Sequence, residues 1–383
     1  MANTLEVFSL KIGIFHPTLN LCGGGEWVAL NIINSLRQNG HEVVVLTDER
    51  LSQEKFMKTF GRKLQSDREI IFPFHFFSRG DPHNIYTDII SCILLKSKCD
   101  IVIDTYTCLV LPKTDVVYMH YPLFKQSTLQ EHVQQIKTLA KMKNALFFLP
   151  YRVFEKKLRK KNKQLILANS EFTSRAVKLD LGLQAHILYP PLSGYFLQSE
   201  EKIYSSQRLD QVVTVSRFAP EKNLEIIPSI AKQMRNTRFL IIGNLQYKTT
   251  YSNLLKLIKD LNVENRVSVM PGLPKTKLKQ ILLESKIYLH CAKNEHFGVS
   301  VIDAMASGCI PIVHDSGGPK EFVPESLRYT SIAEAIERIN QAIVEWSPLK
   351  ALEARNSTLK FCQEIFSDRL LSLLSLHGLL DKK

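Results

Sequence analysis

The amino-terminal half of the chain alternates short apolar runs with segments of helical periodicity. The run Lys11–Phe15 leads into a glycine cluster, and apolar residues then recur at helical spacing across Trp27–Leu36. Asn39-Gly40 ends this helix, and His41–Thr47 supplies the next strand, which completes a β-α-β unit. Further buried strands are predicted at Ile101–Ile103, Val116–Met119 and Leu165–Ala168. This alternation predicts a parallel sheet.

The same pattern restarts after the proline pair Pro190-Pro191. Strands are predicted at Val212–Val215, Phe239–Ile242, Val267–Val269, Ile287–His290 and Ile310–Val313, and a last amphipathic helix from about Ser367 to Leu380. A chain of 383 residues exceeds what one hydrophobic core usually organises. We therefore predict an α/β protein with a Rossmann-like domain at residues 1–190 and a second at 191–366, separated by a cleft. Residues 367–383 are expected to form a helix that crosses back to the first domain.

Basic residues exceed acidic ones, and the excess is locally concentrated. The net charge is +13, and the segment Arg152–Lys163 holds seven basic residues and one acid. Together with the apolar residues that precede it, the stretch from His132 to Lys163 predicts a surface for an anionic partner, such as phospholipid headgroups or nucleic acid. An ordinary solvated helix face, with the apolar residues packed internally, is the alternative. Pro150 predicts two shorter helices in this stretch.

The cysteines and the amino terminus bear on where the protein works. The seven cysteines form no CxxC pair and no Cys/His zinc spacing, which favours reduced thiols. The first residues lack the pattern of a signal peptide, and no apolar run approaches the roughly 20 residues that a membrane-spanning helix needs. We expect a cytoplasmic protein, either soluble or peripheral on the cytosolic face of a membrane.

A strand, an acid, a helix and a glycine follow one another up to Gly308 in the segment that contains NEHFGVSVIDAMASG. Glu295 stands beside the start of the helix, where the N–H groups of Gly298, Val299 and Ser300 can hold a phosphate or sugar oxygen. Asp303 lies two turns further on, roughly 12 Å along the axis. Either acid alone would more often be a helix cap, but together they bracket a length comparable with a nucleotide sugar.

Basic side chains follow the first strand of the second domain in the sequence SRFAPEKN. Arg217 and Lys222 can converge on two phosphates, the arginine through its planar fork and the lysine as a point charge. Such a pair takes the place of a divalent ion. No Asp-x-Asp is present and the carboxylates show no metal-ligand spacing, so no metal site is predicted.

The first domain offers two further candidates at predicted strand ends. Gly23, Gly24 and Gly25 lie between the first strand and first helix, where backbone N–H groups can approach a ligand closely. This triple glycine differs from G-x-G-x-x-G, which argues against a nicotinamide dehydrogenase. His120 follows the strand at Val116–Met119, and a structural role is the alternative reading of such a histidine.

These motifs resemble the retaining GT-B glycosyltransferases of family 4, whose E-x7-E signature corresponds to Glu295 and Asp303, with aspartate replacing the usual second glutamate. The resemblance implies that Arg217 and Lys222 clamp the donor diphosphate, that Gly23–Gly25 border it, and that Asp303 holds the ribose. His120 would lie near the C6 hydroxyl of the donor sugar and support catalysis. Catalysis is thus assigned to four residues, His120, Arg217, Lys222 and Glu295. The remaining donor contacts implied are Gly272 and Leu273 at the nucleobase, and Phe297, Gly298, Val299 and Ser300 around the helix start.

The motifs HPTLNLCGGGE, MHYP, NSEFTS, YPP and HDSGGPKE are similar to those of a subgroup that extends lipid-linked oligosaccharides from GDP-mannose. The resemblance implies transfer of a hexose, preferably mannose, to a glycan or lipid-linked acceptor. It also implies retention of configuration and a reaction without a metal or cofactor. Two alternatives stay open: a sugar-nucleotide epimerase of the same fold, and a basic nucleic-acid-binding protein. The second lacks regular aromatic interleaving and any recognisable RNA- or DNA-binding motif, so no nucleic-acid partner is expected.

Overall fold

The computed structural model describes residues 9–72, 82–122, 138–160, 163–205 and 207–380. The chain divides into two compact units, one of Met1–Tyr189 with Glu364–Lys383, and one of Pro190–Gln363. Each unit is built around its own parallel β-sheet.

The described part of the first unit contains a seven-stranded sheet in the order β3-β2-β1-β4-β5-β6-β7, with every neighbouring pair parallel. Its strands are β1 (Lys11–Phe15), β2 (Glu42–Thr47), β3 (Arg68–Ile71), β4 (Ile101–Asp104), β5 (Val116–Met119), β6 (Leu165–Ala168) and β7 (His186–Ile187). Its helices before residue 190 are α1 (Gly24–Gln38), α2 (Gln53–Phe60), α3 (Ile85–Lys96), α4 (Thr138–Lys160) and α5 (Glu171–Leu181). The predicted parallel sheet is confirmed.

The described part of the second unit contains a six-stranded sheet in the order β10-β9-β8-β11-β12-β13, again parallel throughout. Its strands are β8 (Leu209–Val215), β9 (Arg238–Gly243), β10 (Val267–Pro271), β11 (Ser285–His290), β12 (Ile310–His314) and β13 (Arg328–Tyr329). Its helices are α6 (Glu200–Ser205), α7 (Ile226–Gln233), α8 (Lys248–Asp260), α9 (Lys275–Glu284), α10 (Val299–Ala306), α11 (Ile332–Val344) and α12 (Pro348–Asn356). Both sheets therefore follow the doubly wound order, in which the chain reverses direction beside the first strand.

The last helix, α13 (Gln363–Leu376), joins the core of the first unit. Its buried residues Phe366, Leu370, Leu373 and Leu374 belong to the same apolar cluster as the inner faces of β1 and α1. Burying four large apolar side chains contributes on the order of 6–12 kcal/mol before entropy is counted. This burial fixes the carboxyl-terminal helix to the first unit, although the second unit lies between them in sequence.

The prediction that Pro150 divides its segment into two helices is wrong. Helix α4 runs without a break from Thr138 to Lys160, with Pro150 inside it. Proline removes one helical hydrogen bond, the one whose acceptor would be the carbonyl of Leu146. Leu146, Leu149 and Pro150 are exposed, so this part of the helix faces solvent, where water can hydrogen-bond a carbonyl that lacks its helical partner. Residues 132–137 and 161–162 of the predicted segment lie outside the described residues.

Candidate active site

The candidate site of the second unit lies where its sheet reverses winding direction. The segment Ser216–Lys222 follows β8, and the segment Cys291–Gly298 follows β11, which is hydrogen-bonded to β8. Parallel strands bring their carboxyl ends to one edge of the sheet, and the crevice at the reversal point is where such sheets bind ligands. Two loops that the sequence places about 70 residues apart are therefore neighbours.

Glu295 and Lys222 form a direct ion pair at this edge. The Lys222 ammonium donates to Oε2 of Glu295 at 2.6 Å, and Nε2 of His290 lies 3.2 Å from the same oxygen. Burial opposes ionisation of Glu295, but the hydrogen bond with His290 and the charge of Lys222 outweigh it and hold the carboxyl pKa well below its usual range. Glu295 is thus a fixed anion whose second oxygen, Oε1, accepts from the backbone N–H of His296 at 3.2 Å.

Gly317 and Gly318 contact the backbone of the loop that contains Glu295. The Gly318 N–H donates to the carbonyl of Glu295 at 2.7 Å. A Cβ atom at Gly317 would lie 2.3 Å from that carbonyl oxygen, and the backbone of Gly317 has φ = 75°. Only glycine allows both this close approach and this dihedral without strain. The pair therefore sets the position of the backbone that carries Glu295.

Helix α10 begins immediately after this loop. Its N-cap, Gly298, has φ = 99°, and the first helical turn closes with the Val301 N–H donating to the Gly298 carbonyl at 3.0 Å. The N–H groups of Val299 and Ser300 come before this first hydrogen bond in the chain. They have no acceptor within the helix and point out of its start. Tyr288 on β11 donates to the Ser300 hydroxyl at 2.8 Å, which anchors the turn to the sheet. A helix start so placed favours an anion or a sugar oxygen.

Arg217 lies on the same edge and is more exposed. Its guanidinium donates to Gln246 at 2.6 Å and to Glu221 at 3.3 Å, and 53% of its side chain remains exposed. Burial lowers the pKa of the neighbouring His296; the charge of Glu295 opposes this shift, and the charges of Lys222 and Arg217 add to it.

Asp303 has different surroundings. It lies on α10, and its buried Oδ1 atom has no hydrogen-bond partner among the described residues. Burial raises the pKa of Asp303 to about 7, against the lowering effects of the Lys275 charge and of a hydrogen bond from the Ser193 backbone. A buried carboxylate with an unused oxygen is an acceptor available to a ligand hydroxyl.

The turn after β10 contains the residues predicted to meet a nucleobase. Gly272 has φ = 67°, and its N–H donates to the carbonyl of Gly243 at the end of β9 at 2.9 Å. Leu273 follows it half-buried. The turn is therefore fixed to the neighbouring strand end, at the same edge of the sheet as the residues above.

In the first unit, the glycine turn and His120 lie side by side. A Cβ atom at Gly25 would be 3.3 Å from Nε2 of His120, so the histidine ring packs directly on the start of α1. Nε2 also lies 3.2 Å from the Thr105 carbonyl. The His120 carbonyl accepts from the Asn169 amide at 3.0 Å and from the Thr173 hydroxyl at 3.2 Å. The NSEFT turn thus caps α5 through Ser170 and also fixes the backbone of His120.

The predicted site residues consequently form two groups, one in each unit. His120 and the glycines 23–25 lie together in the first; Arg217, Lys222, Gly272, Leu273, Glu295, Phe297, Gly298, Val299, Ser300 and Asp303 lie in the second. Phe297 itself is buried against Phe322 and Phe361, with ring centroids 5.5 Å away in both cases. The Phe297 ring therefore packs the loop, and the predicted donor contact of this residue stays a prediction. Across the described residues, no group of three or more His, Cys, Asp or Glu side chains is arranged to hold a metal ion.

Sequence reasoning missed His290, the glycine pair as a support for Glu295, and Lys275. A histidine that ends a buried strand five residues before a predicted catalytic acid was a signal for the first. The second was visible as an uncommon Gly-Gly pair. The contact of Lys275 with the Asp303 environment depends on tertiary packing and leaves no local signal.

Comparison with known proteins shows which family and which fold the chain resembles. Residues 198–356 match the family Glycosyl transferases group 1. A protein of Dictyostelium discoideum named GDP-Man:Man(3)GlcNAc(2)-PP-Dol alpha-1,2-mannosyltransferase is 25% identical, over 96% of this chain and 85% of that protein. The Homo sapiens protein of the same name is 26% identical, over 95% of this chain and 86% of that protein.

Solved structures show the same fold at low sequence identity. Anabaena Alr3699/HepE in complex with UDP and glucose has a TM-score of 0.70 at 16% identity, covering 96% of this chain and 100% of that chain. WaaG, a glycosyltransferase involved in lipopolysaccharide biosynthesis, has a TM-score of 0.66 at 14% identity, with coverage of 96% and 100%. Residues 198–356 are therefore similar to the glycosyl transferases group 1 family, and the chain has the GT-B fold and is a glycosyltransferase.

Proposed function

We propose that this protein transfers a mannosyl residue from GDP-mannose to a lipid-linked oligosaccharide, with retention of anomeric configuration. The observation that carries the proposal is the contact between Lys222 and Glu295 beside the start of α10. The names of the Dictyostelium and human relatives support the donor and the acceptor. The resemblance to retaining family 4 enzymes supports the stereochemistry.

The departing nucleoside diphosphate is the group that most needs stabilisation. Negative charge grows on it as the bond to the sugar breaks, and fixed cations and N–H groups lower the energy of that state. Lys222, Arg217 and the first N–H groups of α10 are the proposed donors. Lys222 is already held by Glu295 in the structure, so little reorganisation is needed when the diphosphate forms.

Glu295 is proposed to orient the sugar. An ionised carboxylate has about four acceptor sites. Lys222 and His290 occupy Oε2, while Oε1 meets only one backbone N–H among the described contacts. Oε1 therefore retains capacity to accept a sugar hydroxyl, and the carboxylate stays ionised to do so.

Roles in the first unit follow from the family resemblance and from the contact between Gly25 and His120. We propose that Gly23–Gly25 border the donor phosphates and that His120 contacts the donor sugar. Any side chain at Gly25 would meet the imidazole, so this glycine keeps the ring and the helix start close together. Asp303 is proposed to accept hydrogen bonds from the ribose hydroxyls.

We further propose that the reaction needs no metal ion, because the cationic clamp occupies the place that a divalent ion takes in other transferases. Activity is expected to survive excess EDTA. Complete loss with the chelator, restored by Mg²⁺ or Mn²⁺, would contradict this part of the proposal.

Isothermal titration tests the donor. We expect GDP and GDP-mannose to bind, and UDP- and ADP-sugars to bind more weakly. Product analysis of a reaction without acceptor is the companion experiment, since an epimerised sugar nucleotide there would identify an epimerase. Preference for a uridine or adenosine donor would overturn the GDP-mannose proposal while leaving the glycosyltransferase fold intact.

The exposed face of α4 is proposed to attach the protein to an anionic membrane. Its exposed apolar side chains are Leu146, Leu149, Val153 and Phe154, and its exposed basic ones are Arg152, Lys156, Lys157 and Lys160. Phe148 instead packs into the core, as the alternative of internal packing requires. A helix that combines exposed apolar and basic side chains can lie in the membrane interface, and each basic residue near anionic lipid adds about 1 kcal/mol. In the described residues, no helix has the length and apolar composition needed to cross a membrane.

Vesicle co-sedimentation tests this attachment. Binding should rise with the fraction of anionic lipid, fall with salt, and drop when Lys156, Lys157 and Lys160 are changed to Glu. The matched control changes Lys248, Lys256 and Lys259, which are exposed on α8, to Glu. Equal sedimentation of the two triple variants, or no binding to anionic vesicles, would leave α4 as a solvated surface.

A further inference from the structure

The first sheet has an acid of its own at the point where its winding direction reverses. β1 lies between β2 and β4 in the same way as β8 lies between β9 and β11. In the second sheet this position carries Glu295 and Lys222. In the first sheet β1 leads directly into His16, and the start of α1 carries Glu26. Because such reversal points are where these sheets bind ligands, Glu26 lies where the first unit is expected to hold one.

The Glu26 carboxylate is held from two sides. The Gly23 N–H donates to its Oε2 atom at 2.8 Å, and Nε2 of His16 lies 3.5 Å from Oε1. The His16 ring is fixed in turn, because its Nδ1 atom lies 2.8 Å from the hydroxyl of Thr105, which follows β4. Burial opposes ionisation of Glu26, but the contacts with His16 and Gly23 outweigh it and hold the carboxyl pKa below its usual value. Glu26 is therefore an oriented anion.

The second oxygen of Glu26 is not fully used by the protein. Oε1 lies 3.5 Å from the Thr18 hydroxyl and 3.5 Å from Nε2 of His16, which is longer than the roughly 2.7–3.2 Å of an ordinary hydrogen bond. His16 is only 1% exposed, and its Nε2 atom has no hydrogen-bond partner within the described parts of the chain. The Glu26 side chain is 12% exposed, close to the 16% of Glu295, so a ligand can reach it. A buried, unpartnered nitrogen beside an acid oxygen with only long contacts points to a ligand group at Oε1.

The charges around Glu26 select the kind of ligand. Glu295 has the Lys222 ammonium 2.6 Å away, whereas Glu26 has no Lys or Arg side chain within 4 Å among the described residues, and its one ion-pair contact is with His16. A carboxylate without a cation repels a phosphate, but it accepts hydrogen bonds from the hydroxyl groups of a neutral sugar. The arrangement therefore suits a glycan hydroxyl.

We propose that Glu26 accepts a hydrogen bond from a hydroxyl group of the acceptor glycan, while His16 and the Gly23 N–H hold its carboxylate in position. The inference rests on the proposed function, which identifies the acceptor as a lipid-linked oligosaccharide. It gives Glu26 no part in breaking the donor bond. The residue acts on how tightly, and in which orientation, the acceptor binds.

Initial-rate kinetics of Glu26→Gln with GDP-mannose and the lipid-linked oligosaccharide test this role. Glutamine keeps a carbonyl oxygen that can accept from the Gly23 N–H, but it lacks the charge. The KM for the acceptor should rise, and kcat/KM for the acceptor should fall about tenfold or more, because a charge-assisted hydrogen bond is weakened. The Kd for GDP, from isothermal titration, should change less than about twofold. Glu54→Gln makes the same substitution at an exposed acid in the first turn of α2, and this control should behave as wild type.

Monodeoxy analogues of the terminal sugar of the acceptor give an independent measurement. Used as competitive inhibitors, they show what each acceptor hydroxyl contributes to binding. One analogue should bind the wild-type protein about tenfold more weakly than the parent acceptor, and Glu26→Gln should lose most of this difference. Because the comparison is made within each variant, a general loss of stability in Glu26→Gln cancels.

The outcomes separate this inference from the proposed function. An unchanged acceptor KM in Glu26→Gln, or analogues that both proteins distinguish equally, would overturn it and leave Glu26 as a cap of α1. Equal losses in GDP affinity and in kcat/KM for the acceptor would also overturn it, because a disturbed helix start has that signature. If the wild-type protein transferred no mannose to the acceptor, the proposed function would fail and this inference with it. Normal wild-type transfer combined with any of the former results would overturn the role of Glu26 alone.

Discussion

Glu295 and Asp303 are acids eight positions apart, but the surrounding structure shifts their pKa values in opposite directions. Glu295 stands before α10 with Lys222 and His290 on one oxygen, and its pKa is held well below its usual range. Asp303 lies within α10 with a buried, unpartnered oxygen and a pKa raised to about 7. Lys222 and His290 already pair with Glu295, whereas Oδ1 of Asp303 has no partner among the described residues.

The difference follows from the neighbouring strand ends. Glu295 lies at the reversal point of the sheet, where the Lys222 ammonium of the loop after β8 lies 2.6 Å from its Oε2 atom. Asp303 is further along the helix, where the charge of Lys275 and a hydrogen bond from the Ser193 backbone offset the effect of burial only in part. This difference fits the proposed roles: an acid near the reacting sugar benefits from a fixed charge, whereas an acid that binds ribose needs only to be an acceptor when the donor is bound.

The largest expected effect comes from removing the cation beside Glu295. Lys222→Ala leaves Glu295 part-buried without its ion pair and, in the proposed mechanism, removes charge that faces the leaving diphosphate. We expect a loss of about 2–4 kcal/mol of transition-state stabilisation, roughly 30- to 1000-fold in kcat/KM. Arg217→Ala should fall in the same range, towards its lower end, because its side chain is the more exposed. Lys232→Ala, an exposed position on α7, is the control, and near-wild-type turnover of Lys222→Ala would remove it from the mechanism.

The next effect tests the second partner of Glu295. His290→Leu removes the hydrogen bond at 3.2 Å and should cost about 1–3 kcal/mol in kcat/KM. The pKa of Glu295 should rise, because the contact with His290 lowers it, so the acid limb of the pH–rate profile should move to higher pH. His290→Gln, which keeps an N–H donor, should recover part of the loss. An unmoved acid limb in the leucine variant would show that Lys222 alone holds the charge.

A smaller effect concerns the backbone under Glu295. Gly317→Ala places a Cβ atom 2.3 Å from the Glu295 carbonyl oxygen at a residue with φ = 75°. The variant should lose about 1–3 kcal/mol of unfolding free energy and some turnover, with Asp303-dependent nucleotide binding preserved. Gly182→Ala has a similar dihedral, φ = 67°, with no atom within 4 Å of the added Cβ. It isolates the cost of the dihedral, and an equal loss in both variants would mean that the contact with Glu295 adds nothing.

The smallest expected effect is a change in thermal stability that tests the raised pKa of Asp303. Folding raises the pKa of Asp303 above its unfolded value of 3.8 to about 7, so the folded state binds the extra proton and wild-type stability falls as pH rises through this range. Asp303→Asn carries no such charge. Its melting temperature should exceed that of wild type by roughly 2–4 °C at pH 8, with a smaller difference at pH 5. A difference that does not depend on pH would contradict the raised pKa.

The elements of both sheets that are buried and apolar were predictable from the sequence, because their periodicity is local. β1 and β5 match their predicted bounds, as does β6. The sequence analysis missed β3, β7 and β13, which are only four, two and two residues long and so too short to show a clear period. The continuous α4 was also missed, because the loss of one helical hydrogen bond at Pro150 was expected to end the helix there.

In the site, too, features set by local sequence could be predicted, and features set by tertiary packing could not. The positions of Arg217, Lys222 and Glu295 after predicted strands could be deduced, because parallel strands share one edge. Their contacts could not. That Lys222 meets Glu295 while Arg217 meets Gln246 and Glu221 depends on side-chain geometry set by the packed loops. The Ser193, Lys275 and Asp303 environment joins three segments that are far apart in sequence, so only the folded structure could show it.

The measurement that tests the central claim most directly is a transfer assay with the purified protein. GDP-mannose and a lipid-linked oligosaccharide acceptor would be supplied in the presence of EDTA, and the product analysed by mass spectrometry and by digestion with an α-mannosidase. The account predicts the addition of a single α-linked mannose, strongly reduced in Lys222→Ala and unaffected in Lys232→Ala. A product of inverted configuration, or transfer that is equally fast in Lys222→Ala, would contradict it.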